Sequence, residues 1–87
     1  MRKAGKKDLN QAAIVQALRA IGCEVLILNQ EGIPDLLVGH RRKNWLLEVK
    51  TARGHLTEPQ KRFFGRWCGQ ATVVRSVPEA LRVFGVE

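Results

Sequence analysis

A chain of 87 residues, 45% hydrophobic, with fifteen Lys and Arg against eight Asp and Glu for a formal charge of +7, describes one small core and leaves no room for a second domain. No apolar run approaches the roughly 18 residues that cross a bilayer, and the basic N-terminus leads into an amphipathic segment rather than the apolar core and cleavage site of a signal peptide. No membrane segment and a cytoplasmic location are therefore expected.

Residues 1–7 hold four cations and one glycine and read as a basic flexible arm able to touch phosphate, ahead of a single domain over 8–87. Asp8 followed three residues later by Gln11 has the form of a helix N-cap. The helix is expected from Leu9 to Ile21, with Ile14, Leu18 and Ile21 as its apolar stripe beside Ala13 and Val15, and with Gly22 as its stop. Cys23 to Leu28 is a compact apolar run, read as a buried first strand. A polar loop from Asn29 to Pro34 then delivers the chain to two short apolar runs, Asp35 to Gly39 and Trp45 to Lys50, separated by a stretch of turn length. These read as a hairpin. Thr57-Glu58-Pro59-Gln60 announces a second helix: Thr57 caps, Pro59 suits the first turn and Gln60 sits at N3. It is expected to reach about Cys68, with Phe63, Phe64 and Trp67 packing inward and Gly69 ending it. Ala71 to Arg75 is a fourth strand and Pro78 to Phe84 a closing helix before Gly85. The order αβββαβα argues for a mixed central sheet flanked by helices, with the third and fourth strands parallel across a helical crossover. Cys23 and Cys68 form no CxxC pair, and with His40 and His55 they make no zinc set; both are expected to be buried, reduced thiols.

The chemistry concentrates between Gly32 and Lys50. Side chains two apart on a strand share a face, so Glu48 and Lys50 point the same way. If Gly39 faces Asn44 across a four-residue loop, then Leu37 faces Leu46 and Asp35 faces Glu48. Two neighbouring carboxylates repel unless a cation sits between them, and hard oxygen ligands suit Mg²⁺ or Mn²⁺. Gln60 has two readings, a capping-box residue or a group that holds a water or the Lys50 ammonium. The charge excess points to an anionic partner, most simply nucleic acid. Its candidate contacts are Arg41, Arg42 and Lys43 at the hairpin tip and Arg53, Lys61, Arg62 and Arg66 further on, although small basic proteins also carry such residues for solubility alone.

Pro34-Asp35 followed by Glu48-Val49-Lys50 resembles the PD-(D/E)xK nuclease signature. With Gly32 before the Asp, a helix and strand before the hairpin and Gln60 on the next helix, the chain from Asp8 to about Val74 is similar to the VRR-NUC branch of that superfamily, in the compact standalone form found in phages and bacteria. The resemblance implies a restriction-endonuclease-like core and cleavage of DNA phosphodiesters with Mg²⁺ or Mn²⁺. It also implies a homodimer acting on Holliday junctions or related branched DNA. Asp35 and Glu48 match the metal-binding carboxylates, the Val49 carbonyl a further ligand, Lys50 the catalytic lysine and Gln60 the helical glutamine. The family often adds a Glu from the first helix; this sequence has none there, and Asp8 and Gln11 are the nearest candidates. Two alternatives stand beside the junction endonuclease: a nonenzymatic DNA-binding module of the same fold, and a nuclease for flap, single-stranded or RNA substrates.

Overall fold

The computed structural model describes residues 5–86. The elements run α1 (Lys6–Ala20), β1 (Glu24–Ile27), β2 (Leu36–His40), β3 (Lys43–Val49), α2 (Glu58–Arg66), β4 (Ala71–Val74) and α3 (Val77–Val83), which is the expected αβββαβα order. One sheet has the strand order β1-β2-β3-β4. The first two pairings are antiparallel and the β3–β4 pairing is parallel, as a helical crossover through α2 requires.

Strand alternation sorts the sheet residues by face. Val25, Leu36, Val38, Leu47, Val49 and Val74 join Ile14, Val15 and Leu18 of α1 and Ala80 of α3 in one buried cluster. The opposite face carries a row formed by Leu26, Leu37, Leu46 and Ala71, each paired with the next across the sheet. This second row is only partly covered.

The β2–β3 hairpin has the expected register, with Gly39 opposite Asn44 and Leu37 opposite Leu46. His40 and Lys43 also pair, so the turn proper is Arg41-Arg42, and both have positive φ, 51° and 65°. A two-residue hairpin turn matched to strand twist demands that conformation.

Several expectations change. The helix begins three residues before Leu9, so Lys6 and Lys7 of the proposed arm belong to α1; residues 1–4 lie outside the described part. Gly5 is the N-cap, and Asp8 sits at N3, where its carboxylate accepts from Gly5 N–H at 3.3 Å. An acidic group in the first turn also answers the helix dipole. Ala13 is exposed, because the buried stripe runs through Ile14, Val15 and Leu18. Gly22 does follow the C-cap, with φ 94°. The first strand is not buried: it is a sheet edge where Val25 is covered while Leu26 and Ile27 stand about half exposed. The second helix ends at Arg66, so Trp67 and Cys68 leave the helical register. Phe63 is buried, but Trp67 is 46% exposed and stacks on the Phe63 ring at 5.2 Å. Cys23 is buried and Cys68 is exposed; both are free thiols.

Candidate active site

The site forms where the C-terminal end of β3 meets the residue before β2 and the first turn of α1. Asp35 is held by backbone on both sides. Its carbonyl accepts from Leu28 N–H at 2.7 Å, and its Oδ2 accepts from Val49 N–H at 2.8 Å. The loop that delivers it turns at Gly32, whose φ of 82° favours glycine. Since Leu36 pairs with Leu47, continuing the register sets Asp35 beside Glu48.

Glu48 is fully buried, at 0% exposure, and Lys50 is 8% exposed. A charged carboxylate at such depth needs compensation. Part of it is present: Lys50 Nζ lies 3.6 Å and Lys7 Nζ 3.3 Å from Glu48 Oε2, and Lys7 Nζ also lies 3.3 Å from Asp35 Oδ2. The other oxygen, Glu48 Oε1, is buried with no hydrogen-bond partner among the described residues. Burial first, and then Asp35, push the Glu48 carboxyl up to about 7, against the opposing pull of Lys7. Burial works to lower the Lys7 ammonium, but Asp35 and Glu48 outweigh it and hold that group above its ordinary value.

Sequence reasoning brings together Asp35, Glu48, Val49 and Lys50, and the structure does place them together. It does not bring in the first-helix candidates as expected. Asp8 is spent on the helix cap, and the α1 side chains that reach the site are Lys7 and Asn10. Gln11 is half-buried and stays out of this network. The Asn10 amide donates to the carbonyls of Lys50 at 3.0 Å and Arg75 at 3.1 Å. It thereby ties α1 to the ends of both parallel strands. Arg75 in turn donates to the Thr51 and Gly54 carbonyls at 2.7 Å each, which fixes the loop after Lys50. The signal that could have found Lys7 is its helical spacing: it lies one turn before Asn10 and two before Ile14 and so shares their face.

Gln60 is a capping-box residue. Its Oε1 accepts from Thr57 N–H at 2.9 Å, and its N–H donates to Thr57 Oγ1 at 3.3 Å. It also lines a cavity of about 370 Å³ with Lys7, Glu31, Asp35 and Pro59. With its carbonyl committed to the cap, the group it can offer that cavity is its amide NH₂.

The basic residues divide by position. Arg53 lies beside the site, where it lines a shallow pocket with Lys6. Lys61 is paired with Glu58 at 3.2 Å, and Arg66 lies over the Phe63 ring at 5.5 Å. Arg62 is exposed. Arg41, Arg42 and Lys43 are exposed at the far end of the hairpin, roughly 16 Å from Glu48 at the usual strand rise.

No group of three or more His, Cys, Asp and Glu converges among the described residues. The oxygen donors available to a metal are therefore two carboxylates and backbone. The unpartnered buried Oε1 of Glu48 beside a second carboxylate fits a single hard cation.

No protein-family model and no curated protein matches the chain. A solved structure titled "VRR_NUC domain" is similar to it, with 27% sequence identity and a TM-score of 0.79, over 93% of this chain and 96% of that one.

Proposed function

We propose, starting from the VRR-NUC nuclease fold that this chain has, that it is a metal-dependent endonuclease hydrolysing phosphodiester bonds in DNA. The observation that carries this reading is Glu48: a fully buried carboxylate beside Asp35, with one oxygen unpaired among the described residues and two lysines on the other. A buried carboxylate oxygen without a partner calls for an explanation, and a bound cation supplies one.

Asp35 and Glu48, with the Val49 carbonyl, would hold one Mg²⁺ or Mn²⁺. Such an ion supplies Lewis acidity toward a phosphate oxygen and a more acidic bound water. Asp35 is pre-organised for this by the Val49 N–H. Lys50, nearly buried and pinned beside Glu48, would orient the attacking water and balance the negative charge that develops on the phosphoryl oxygens. Arg53 and Lys6 lie beside the site as phosphate contacts, and Arg41, Arg42 and Lys43 extend the track.

We further assign a branched or junction DNA substrate and a homodimer. Symmetric cutting of two strands needs two sites, and one chain of this size offers one. The half-exposed Leu26 and Trp67, in line with the partly buried Leu37 and Leu46 whose pocket Trp67 shares, support association through that face. Sedimentation as a monomer at micromolar concentration, with and without DNA, would remove the dimer.

The deciding experiment offers linear duplex, single strand, flap, fork and four-way junction with Mg²⁺ to wild-type and Glu48→Ala protein. Cleavage is expected from the wild type alone; full cleavage by Glu48→Ala would sink the reading. One observation favours a second reading, a DNA-binding module without chemistry. Lys7 and Lys50 already neutralise much of the acidic charge. DNA binding with no Mn²⁺ uptake and no cleavage of any substrate would establish that alternative.

A further inference from the structure

Among the described residues, Lys7 is the one side chain that pairs with both carboxylates of the site from a different element. Its Nζ is 3.3 Å from Asp35 Oδ2 and 3.3 Å from Glu48 Oε2, in the position a cation shared by two carboxylates takes. The backbone beneath it is anchored by the buried Ile14 and Leu18 of the same helix and by the two hydrogen bonds of the Asn10 amide. The side chain itself is not locked. It is 40% exposed, lines the open cavity, and has a flexible four-carbon stem.

We propose that the Lys7 ammonium is the resident cation of this site: it holds Asp35 and Glu48 together in the metal-free protein, and a divalent ion must displace it to reach the same oxygens. The inference rests on the metal-site reading above and adds a control to it. Lys7 sets how much divalent ion the site needs, and metal entry releases the ammonium towards solvent on the side of the cavity. The divalent ion wins through its higher charge and its access to Glu48 Oε1, an oxygen that Lys7 does not serve. Lys50 does not compete in this way, because its Nζ pairs with Glu48 alone among the site carboxylates.

The test uses the full chain without DNA, at fixed pH and low salt, with Mn²⁺ binding followed by electron paramagnetic resonance. Lys7→Met is expected to bind Mn²⁺ about tenfold more tightly than wild type, equivalent to about 1.4 kcal/mol, while Glu48→Ala binds far more weakly. The metal-free thermal midpoint of Lys7→Met is expected to fall and to recover with Mn²⁺. Equal or weaker binding by folded Lys7→Met, with Glu48→Ala still defective, overturns the role of Lys7 and leaves the metal site standing. Absence of saturable binding by wild type and Lys7→Met alike overturns the metal site, and this inference with it. A second measurement needs no variant: acylation of Lys7 Nζ in the wild type, followed by mass spectrometry, is expected to speed up several-fold at saturating Mg²⁺. An unchanged rate there also overturns the proposal.

Discussion

At the C-terminal end of β3, Glu48 is fully buried, Lys50 nearly so, and each is held by partners within the site. At its N-terminal end, Lys43 and its neighbours Arg41 and Arg42 are exposed, and the two arginines sit in left-handed backbone. The first region places charge where water is scarce and compensates it with paired groups; the second places charge where water screens it, on a turn that other residues would form at lower cost. Chemistry needs the first arrangement, because fixed charges act strongly only when desolvated and pre-organised. Binding to phosphate tolerates the second, since its gain is largely counterion release. The same strand thus carries a buried, paired charge cluster at one end and an exposed one at the other.

The widest gap between the two ends is expected in cleavage. Asp35→Ala or Glu48→Ala should reduce the cleavage rate at saturating DNA by at least about a hundredfold and weaken Mn²⁺ binding. The triple change of Arg41, Arg42 and Lys43 to Ala should leave that rate within a few-fold; single-turnover kinetics on both proteins checks this. Lys50→Ala sharpens the comparison within the site: cleavage should fall by a similar order, while Mn²⁺ binding persists.

Salt distinguishes the ends in the opposite sense. The triple change should lower the slope of log affinity against log salt by up to about three, near one for each phosphate no longer neutralised. Filter binding over a salt series measures it, and an unaltered slope would release the hairpin tip from any role.

Titration is the next smaller effect. The folded protein holds the Glu48 proton more tightly than the unfolded chain does, with 4.5 raised to about 7. The folded state is therefore favoured most below the lower value, and that contribution is lost as pH rises through the window. Metal-free stability, read from denaturant melts, should decline from pH 4.5 towards 7 relative to Glu48→Gln. Mn²⁺ affinity should rise over the same range, because metal and proton compete for one carboxylate.

The smallest expected effect is a gain. Arg41→Asn with Arg42→Gly relieves two left-handed non-glycine residues and should stabilise the fold by about 1 kcal/mol per position, measured by denaturant midpoint, at some loss of DNA affinity.

Most of the candidate-site face was legible in the chain. Alternating apolar positions set which side of each strand is buried, and a one-residue slip would turn Leu36, Val38 and Leu47 outward, so the register of Asp35 against Glu48 follows from local pattern. The helix caps at Thr57 and Gly22 were similarly readable, because they are interactions between near neighbours. Misplaced residues share another feature. Trp67 and Cys68 look like an inward helical face, but the helix ends at Arg66 and the sheet beyond is only partly covered. Leu26 and Ile27 look like a core strand, yet exposure there depends on which strand becomes the edge.

The sequence by itself determined the element order, the hairpin register and the pairing of Asp35, Glu48 and Lys50 on one face, because each follows from periodicity over a few residues. Tertiary structure alone decided that Lys7 reaches those carboxylates, that Asn10 ties α1 to the loops after Lys50 and Arg75, and that one oxygen of Glu48 finds no partner among the described residues. Those contacts join residues far apart in the chain, from 28 positions for Lys7 and Asp35 to 65 for Asn10 and Arg75. Their geometry depends on how α1 settles on the sheet through Ile14, Val15 and Leu18, and local sequence pattern does not encode where the far end of that helix comes to rest.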